Sequence, residues 1–219
     1  MNWDVVLFTV ALAALAVAVA LPAALALAWL LARKRWPGKA LVETLVTVPL
    51  VLPPVATGFA LLLLLGRQSW IGGALEKWLG MEIVFTWKAV VVAMAVMSFP
   101  LVVRTARVGF ESVDGQLEDA ARSFGASPWQ VFWRITLPLA RRGVLAGMVL
   151  GFARALGEFG ATIVFAGNIP GRTTTVPLAI YTDVVLGDNA AALQLIAASL
   201  VIALIAVALG ERLARPLSV

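Results

Sequence analysis

The chain has no cysteine and no histidine among its 219 residues. Disulfides, thiolate nucleophiles, Cys/His metal sites and imidazole acid–base catalysis are thereby excluded together. Charge is scarce too: Asp, Glu, Lys and Arg make up 13% of the residues, against about a quarter in soluble domains. With 62% hydrophobic residues and a mean hydropathy of +0.97, the medium around the fold is lipid rather than water. No phosphate-cradling G-x-x-x-x-G-K-[ST] loop occurs, since the only Gly-Lys pair is Gly38-Lys39 in "PGKA", so ATP hydrolysis by this chain is not expected. The apolar runs hold no carboxylate cluster at metal-ligand spacing, and no fixed-period repeat or low-complexity linker divides the chain. The expectation is one domain over residues 5–213, with no metal.

What is present is apolar length. Residues 5–32, 41–65, 84–103, 144–166 and 191–210 form long apolar runs, each reaching the roughly 20 residues that a helix needs to cross a bilayer core. Backbone groups in lipid must be paired internally, and these runs lack the alternation of barrel strands, so an all-α membrane protein of about five transmembrane helices is predicted. The first run follows "MNWD" without a basic leader region, which predicts an uncleaved anchor.

The net charge of +5 is dispersed among connections and argues for topology rather than nucleic-acid binding. Positive residues gather in "RKRWPGK" (33–39), in Arg104, Arg107, Arg122, Arg134, Arg141 and Arg142, and in Arg212 and Arg215. The other connections hold Arg67, Lys77 and Arg172 together with Glu76, Glu82, Asp183 and Asp188, and Asp4 lies at the amino end. The positive-inside rule then predicts the N-terminus outside and the C-terminus inside. Trp3, Trp29, Trp36, Trp70, Trp78 and Trp87 fall near run ends, where amphipathic rings sit at headgroup depth.

Two runs carry unusual residues. The second contains "VPLVLPPVATG" with Pro49, Pro53, Pro54 and Gly58, which predicts a kink or break, either for packing or for a pathway through Pro53 and Pro54. In the fourth, Gly143, Gly147 and Gly151 repeat at four-residue spacing, followed by Arg154 and Glu158 near mid-depth. The four-residue spacing of these charges permits an intrahelical ion pair, and they either pair across an interface with a second copy or place positive potential along an anion path. Beyond them, Asn168, Arg172, Thr173, Thr174 and Thr175 offer donors near a chain reversal.

The polar stretch 114–138 has its own punctuation. Asp114 is a helix cap, Gly125 a helix stop, and Ser127-Pro128 with Gln130 the capping-box start of a second short helix; Pro138 is expected to bend the chain toward the next run. A compact helical hairpin of this kind either docks a partner or lies in the headgroups.

Asp119-Ala120-Ala121, Gly125 after three residues, and Ile135-Thr136-Leu137-Pro138 after nine more resemble the EAA loop of type I ABC importer permeases. The family usually has Glu where Asp119 stands, and Glu118 precedes it. The resemblance implies a cytoplasmic coupling helix that inserts into a separate ATPase, carried by Glu118, Asp119, Ala120, Ala121, Gly125, Ile135, Leu137 and Pro138. "FARALGEFGATIVFAGNIPGRTTTVPLAIY" (152–181) is similar to molybdate ABC transporter permeases, and the similarity extends from residue 5 to 213. Sulfate and tungstate permeases share parts of it. The implied assembly is two copies of this chain in the inner membrane, two ATPase subunits that use ATP and Mg, and an external binding protein, with no cofactor on this chain. The path expected from the residues themselves runs by Pro53, Pro54, Arg154, Glu158, Asn168 and Arg172, and the resemblance implies molybdate or a related oxyanion (tungstate, sulfate or thiosulfate) as what it carries. A proton-coupled carrier using Glu158 is the remaining alternative.

Overall fold

A computed structural model describes residues 3–214, and Arg215 of the positive set lies outside them. The described chain is helical throughout: α1 Trp3–Arg33, α2 Lys39–Val51, α3 Pro54–Leu65, α4 Trp70–Leu79, α5 Trp87–Glu111, α6 Gly115–Ser123, α7 Pro128–Val131, a π turn Phe132–Thr136, α8 Leu137–Leu156, α9 Gly160–Phe165, α10 Val176–Leu186 and α11 Asn189–Ala214. Four helices are long and apolar enough to cross a membrane: α1, α5, the continuous segment Pro128–Leu156 and α11. The pair α2 and α3 is apolar enough to count as a fifth candidate, a broken span or a re-entrant loop, bent by 112° at its break.

That break follows from the proline pair. Leu52 and Pro53 are extended, with ψ of 145° and 132°, because a proline ring excludes the helical region for the residue before it. Pro54 then starts α3, in a position where its missing N–H costs nothing. The expected kink in the second run is therefore a full interruption.

The core is built by close backbone approach. In lipid, helices associate through packing rather than hydrophobic burial, so small residues decide where they meet. Ala13, Ala16, Ala20, Ala24 and Ala28 line the buried face of α1. Gly143 of α8 lies so close to α5 that an added Cβ would stand 2.4 Å from the Cα of Gly109. Gly147 and Gly151 meet Val102 on the same α5 face. The glycine spacing thus joins α8 to α5 within this chain.

Two expectations are corrected. Residues 144–166 are not one helix: α8 ends at Leu156, and Gly157 to Phe159 separate it from α9. Pro138 does not interrupt the helix. The N–H of Leu137 bonds Phe132 O across the π turn, so the ladder changes register where Pro138 has no N–H to offer, and the helix continues from 128 to 156. The tryptophans also divide. Trp3, Trp70, Trp78 and Trp87 are exposed, whereas Trp29 and Trp36 pack against the core formed by Ala28, Val102, Phe110 and Val144.

Two helices were not anticipated. α4 begins at Ser69, whose side chain accepts from Gly72 N, and ends at left-handed Gly80. α10, at 11 residues, is too short to span, and its first N–H, on Val176, donates to the buried Thr9 Oγ1 of α1 at 2.9 Å.

Candidate functional site

The hairpin between α5 and α8 is ordered by its own sequence. Asp114 Oδ1 accepts Gln116 N at 2.9 Å. Gly125 takes φ of 87°, a left-handed conformation that favours glycine, and the N–H of Ala126 reaches back to Ala121 O at 3.1 Å. Ser127 and Gln130 form the reciprocal capping box, at 2.9 and 3.3 Å. Beneath these caps, buried Val131 and the ring of Phe132 seat the hairpin on the bundle, with Phe132 edge-on to Trp29 at 6.0 Å and tilted toward Phe110 at 6.2 Å. Leu117, Phe124, Trp129 and Trp133 remain exposed, Phe124 by 92%. These large apolar side chains are thus displayed on an otherwise polar hairpin.

The acidic positions of the loop have opposite fates. Asp119 is exposed and, among the described residues, pairs locally with Arg122 at 2.8 Å. Glu118 turns inward and is 5% exposed, meeting Arg33 at 2.9 Å and accepting Thr136 Oγ1 at 2.7 Å. The sequence pattern centred on Asp119 missed this, and the signal was the second acid one residue earlier. Of the other loop residues, Ala120, Gly125 and Pro138 are exposed, while Ala121, Ile135 and Leu137 are half-buried, Leu137 in the core under the hairpin.

A second region forms where the two broken spans cross. A Cβ on Gly58 would lie 2.6 Å from Ala161 O, and one on Gly160 would lie 2.7 Å from Pro54 Cβ. The first turns of α3 and α9 are thus in backbone contact, each beginning at a break. Glu158, 1% exposed, occupies this junction. One carboxylate oxygen accepts Ala161 N at 2.8 Å, satisfying a free N–H of α9, and the other meets Arg154 Nη1 at 2.7 Å. The Arg154–Glu158 pair therefore closes within one chain. Thr57 and Thr162, in the first turns of α3 and α9, have buried hydroxyls without a partner among the described residues. They were hidden in apolar runs, and only the neighbouring glycines hinted at a close crossing there.

Of the remaining path candidates, Asn168 and Arg172 lie elsewhere. Pro53 and Pro54 are exposed at the break. Asn168 is engaged in its own loop, donating to Thr182 Oγ1 at 2.9 Å and accepting from Thr174 Oγ1 at 2.7 Å. Arg172 lines a cavity of about 680 Å³ at the far ends of α3 and α5, together with Arg67, Glu76, Glu82 and Thr86, and neither Arg154 nor Glu158 borders it. Arg67 there is ion-paired to Glu82 and Glu76. Among the described residues no group of three or more acidic side chains could hold a metal ion.

Known proteins of the same architecture exist. The molybdenum transport system permease protein ModB of Escherichia coli is 48% identical over 215 residues, covering 98% of this chain and 94% of its own. Its counterpart in Haemophilus influenzae is 55% identical over 162 residues, 74% of this chain and 71% of its own. The sulfate transport system permease protein CysW of Synechococcus elongatus is 42% identical over 154 residues, 70% of this chain and 54% of its own. Among solved structures, a bacterial ABC transporter involved in the import of the acidic polysaccharide alginate shares the fold, with a TM-score of 0.70 at 20% identity over 96% of this chain and 79% of that one. The family of binding-protein-dependent transport system inner membrane components matches residues 20–219, and with nearly the whole chain aligned to its permeases, the protein belongs to that family.

Proposed function

We propose that this chain is the permease subunit of an ATP-driven importer and provides the path for molybdate across the inner membrane. The observation that carries the substrate is the identity to a molybdenum permease over 98% of the chain, which exceeds in coverage the likeness to the sulfate permease. In this reading two copies form the path, two separate ATPase subunits use ATP and Mg, and an external binding protein delivers the oxyanion. The N-terminus faces out and the C-terminus in, so that the hairpin 114–138 meets the ATPase.

The geometry supports a mechanical route. Phe124, Trp129 and Trp133 are the surface that an ATPase groove would grip, with Asp119, Ala120 and Gly125 beside them. Displacement of the hairpin enters α8 directly, because the segment Pro128–Leu156 is unbroken and at 1.5 Å per residue reaches about 40 Å. It ends beside Glu158 and the break at Pro53 and Pro54. Two interrupted helices in contact are a bistable joint, able to repack between inward-open and outward-open arrangements. Arg154 supplies positive potential near that joint while Glu158 moderates it. A proton-coupled carrier has less support, since both oxygens of Glu158 are already engaged.

The test is uptake into vesicles that contain this chain, its ATPase and its binding protein, with molybdate, tungstate and sulfate in competition. Molybdate uptake that requires ATP and is outcompeted least by sulfate is the expected result. Preferential sulfate uptake would reassign the substrate.

A further inference from the structure

Arg33 is the last residue of α1, and it reaches away from its own helix. Its Nη2 donates to Val113 O, at the turn leading into α6, and to Glu118 Oε1, both at 2.9 Å. The same Glu118 oxygen accepts Thr136 Oγ1 from the π turn at 2.7 Å. Arg122 stands 3.6 Å from the other oxygen. One buried carboxylate therefore ties the end of α1, the helix α6 and the root of α8 together.

We propose that Arg33 is a positioning residue for energy coupling: through Glu118 and Thr136 it locks α1 to the hairpin, so that α1 moves with it as a second rod beside α8. The proposal rests on the reading of 114–138 as the ATPase-facing loop. Seating the hairpin does not require this cluster, since Val131 and Phe132 already bury it against Trp29 and Phe110. A buried ion pair is also a poor stabiliser compared with apolar side chains of equal volume, and here it is imperfect, because Arg33 Nε is buried without a partner among the described residues. What it adds is direction. Aromatic contacts tolerate sliding, whereas a shared carboxylate with two short hydrogen bonds holds one register.

The far end of α1 shows what the rod would move. Thr9 Oγ1 accepts the first N–H of α10, and α10 follows directly on the loop that contains Asn168 and Arg172. From Thr9 to Arg33 the helix is continuous, about 36 Å at 1.5 Å per residue. Motion of the hairpin would thus reach the loop 167–175 along α1 at the same time as it reaches Glu158 along α8.

The experiment uses the complete transporter in proteoliposomes, with molybdate uptake and ATP hydrolysis measured in the same vesicles. Arg33→Met and Thr136→Val are each expected to lower the uptake per ATP at least fivefold. Arg33→Lys, which keeps the charge, should recover part of the ratio. Arg35→Met, which removes an exposed charge from the same basic run, should stay within twofold of the parent. If Arg33→Met does not retain the ATPase on purification, the nearly isosteric Thr136→Val decides. A ratio within twofold of the parent in Thr136→Val, or an equal loss in Arg35→Met, overturns the latch. Absence of ATP-driven uptake by the unaltered transporter sinks the coupling reading and the latch together, whereas normal uptake with insensitive variants sinks the latch alone.

Discussion

Glu158 illustrates how a single charge survives inside a bundle. Its carboxylate is neither free nor facing lipid; it caps the buried first turn of α9 and neutralises Arg154 four residues back. Removing it leaves a buried N–H and a half-buried guanidinium without compensation. Glu158→Ala is expected to destabilise the fold by about 3 kcal/mol, read as a lowered melting temperature in detergent. Glu158→Gln keeps an acceptor for Ala161 N and loses only the ion pair, so its midpoint should lie between those of Ala and the parent. Equal midpoints for the Gln and Ala variants would contradict the capping role. Small residues act by a different principle at the same scale: Gly58 and Gly143 matter because nothing larger fits between two backbones.

Among the elements, the hairpin is the one whose shape depends least on the bundle. Caps at Asp114 and Ser127 and the left-handed turn at Gly125 are local devices. A Cβ at Gly125 would meet nothing within 4 Å, so a substitution there strains the backbone without a clash. The cost of a left-handed L-residue is about 1–2 kcal/mol, enough to shift the hairpin's exit angle while leaving the spans intact. Gly125→Val should therefore uncouple ATP hydrolysis from uptake with normal membrane insertion, and Gly125→Asn, which tolerates this conformation better, should be milder. Unchanged uptake in Gly125→Val would remove the hairpin from the coupling route. The π turn belongs to this scale as well, since it lets a proline stand in the first turn of α8 without ending the helix.

For the whole molecule, large exposed hydrophobic residues lie along α1, α2, α3, α10 and above all α11, including Leu7, Leu45, Phe59, Val185 and Leu204. The buried face of α5 carries the centre of the bundle. This distribution suits a chain that leaves its outer helices to lipid or to a second copy. The proposed orientation is directly testable because the protein has no native cysteine. A thiol introduced by Ser123→Cys in α6 should react with a membrane-impermeant reagent only in inverted vesicles. One introduced by Gln68→Cys, at the far end of α3, should react only in right-side-out vesicles. Labelling of Ser123→Cys from outside would reverse the topology and with it the ATPase-facing assignment of the hairpin.

The sequence by itself determined the lipid environment, the long apolar spans, the interruption at Pro53 and Pro54 and every cap of the hairpin. Each of these depends on neighbours within a few positions along the chain, or on composition alone. Only the tertiary structure decided that Glu118 rather than Asp119 turns inward, because that requires Arg33, 85 positions away, and that the fourth run breaks at Gly157, where Glu158 offers an acceptor to a new helix. It also decided that Trp29 and Trp36 lie half-buried against the core while Trp70 and Trp78 stay out. In lipid, an apolar side chain has no strong preference between a neighbour and an acyl chain, so hydrophobicity reports that a helix spans, and the fit of backbones and paired polar groups determines what it touches.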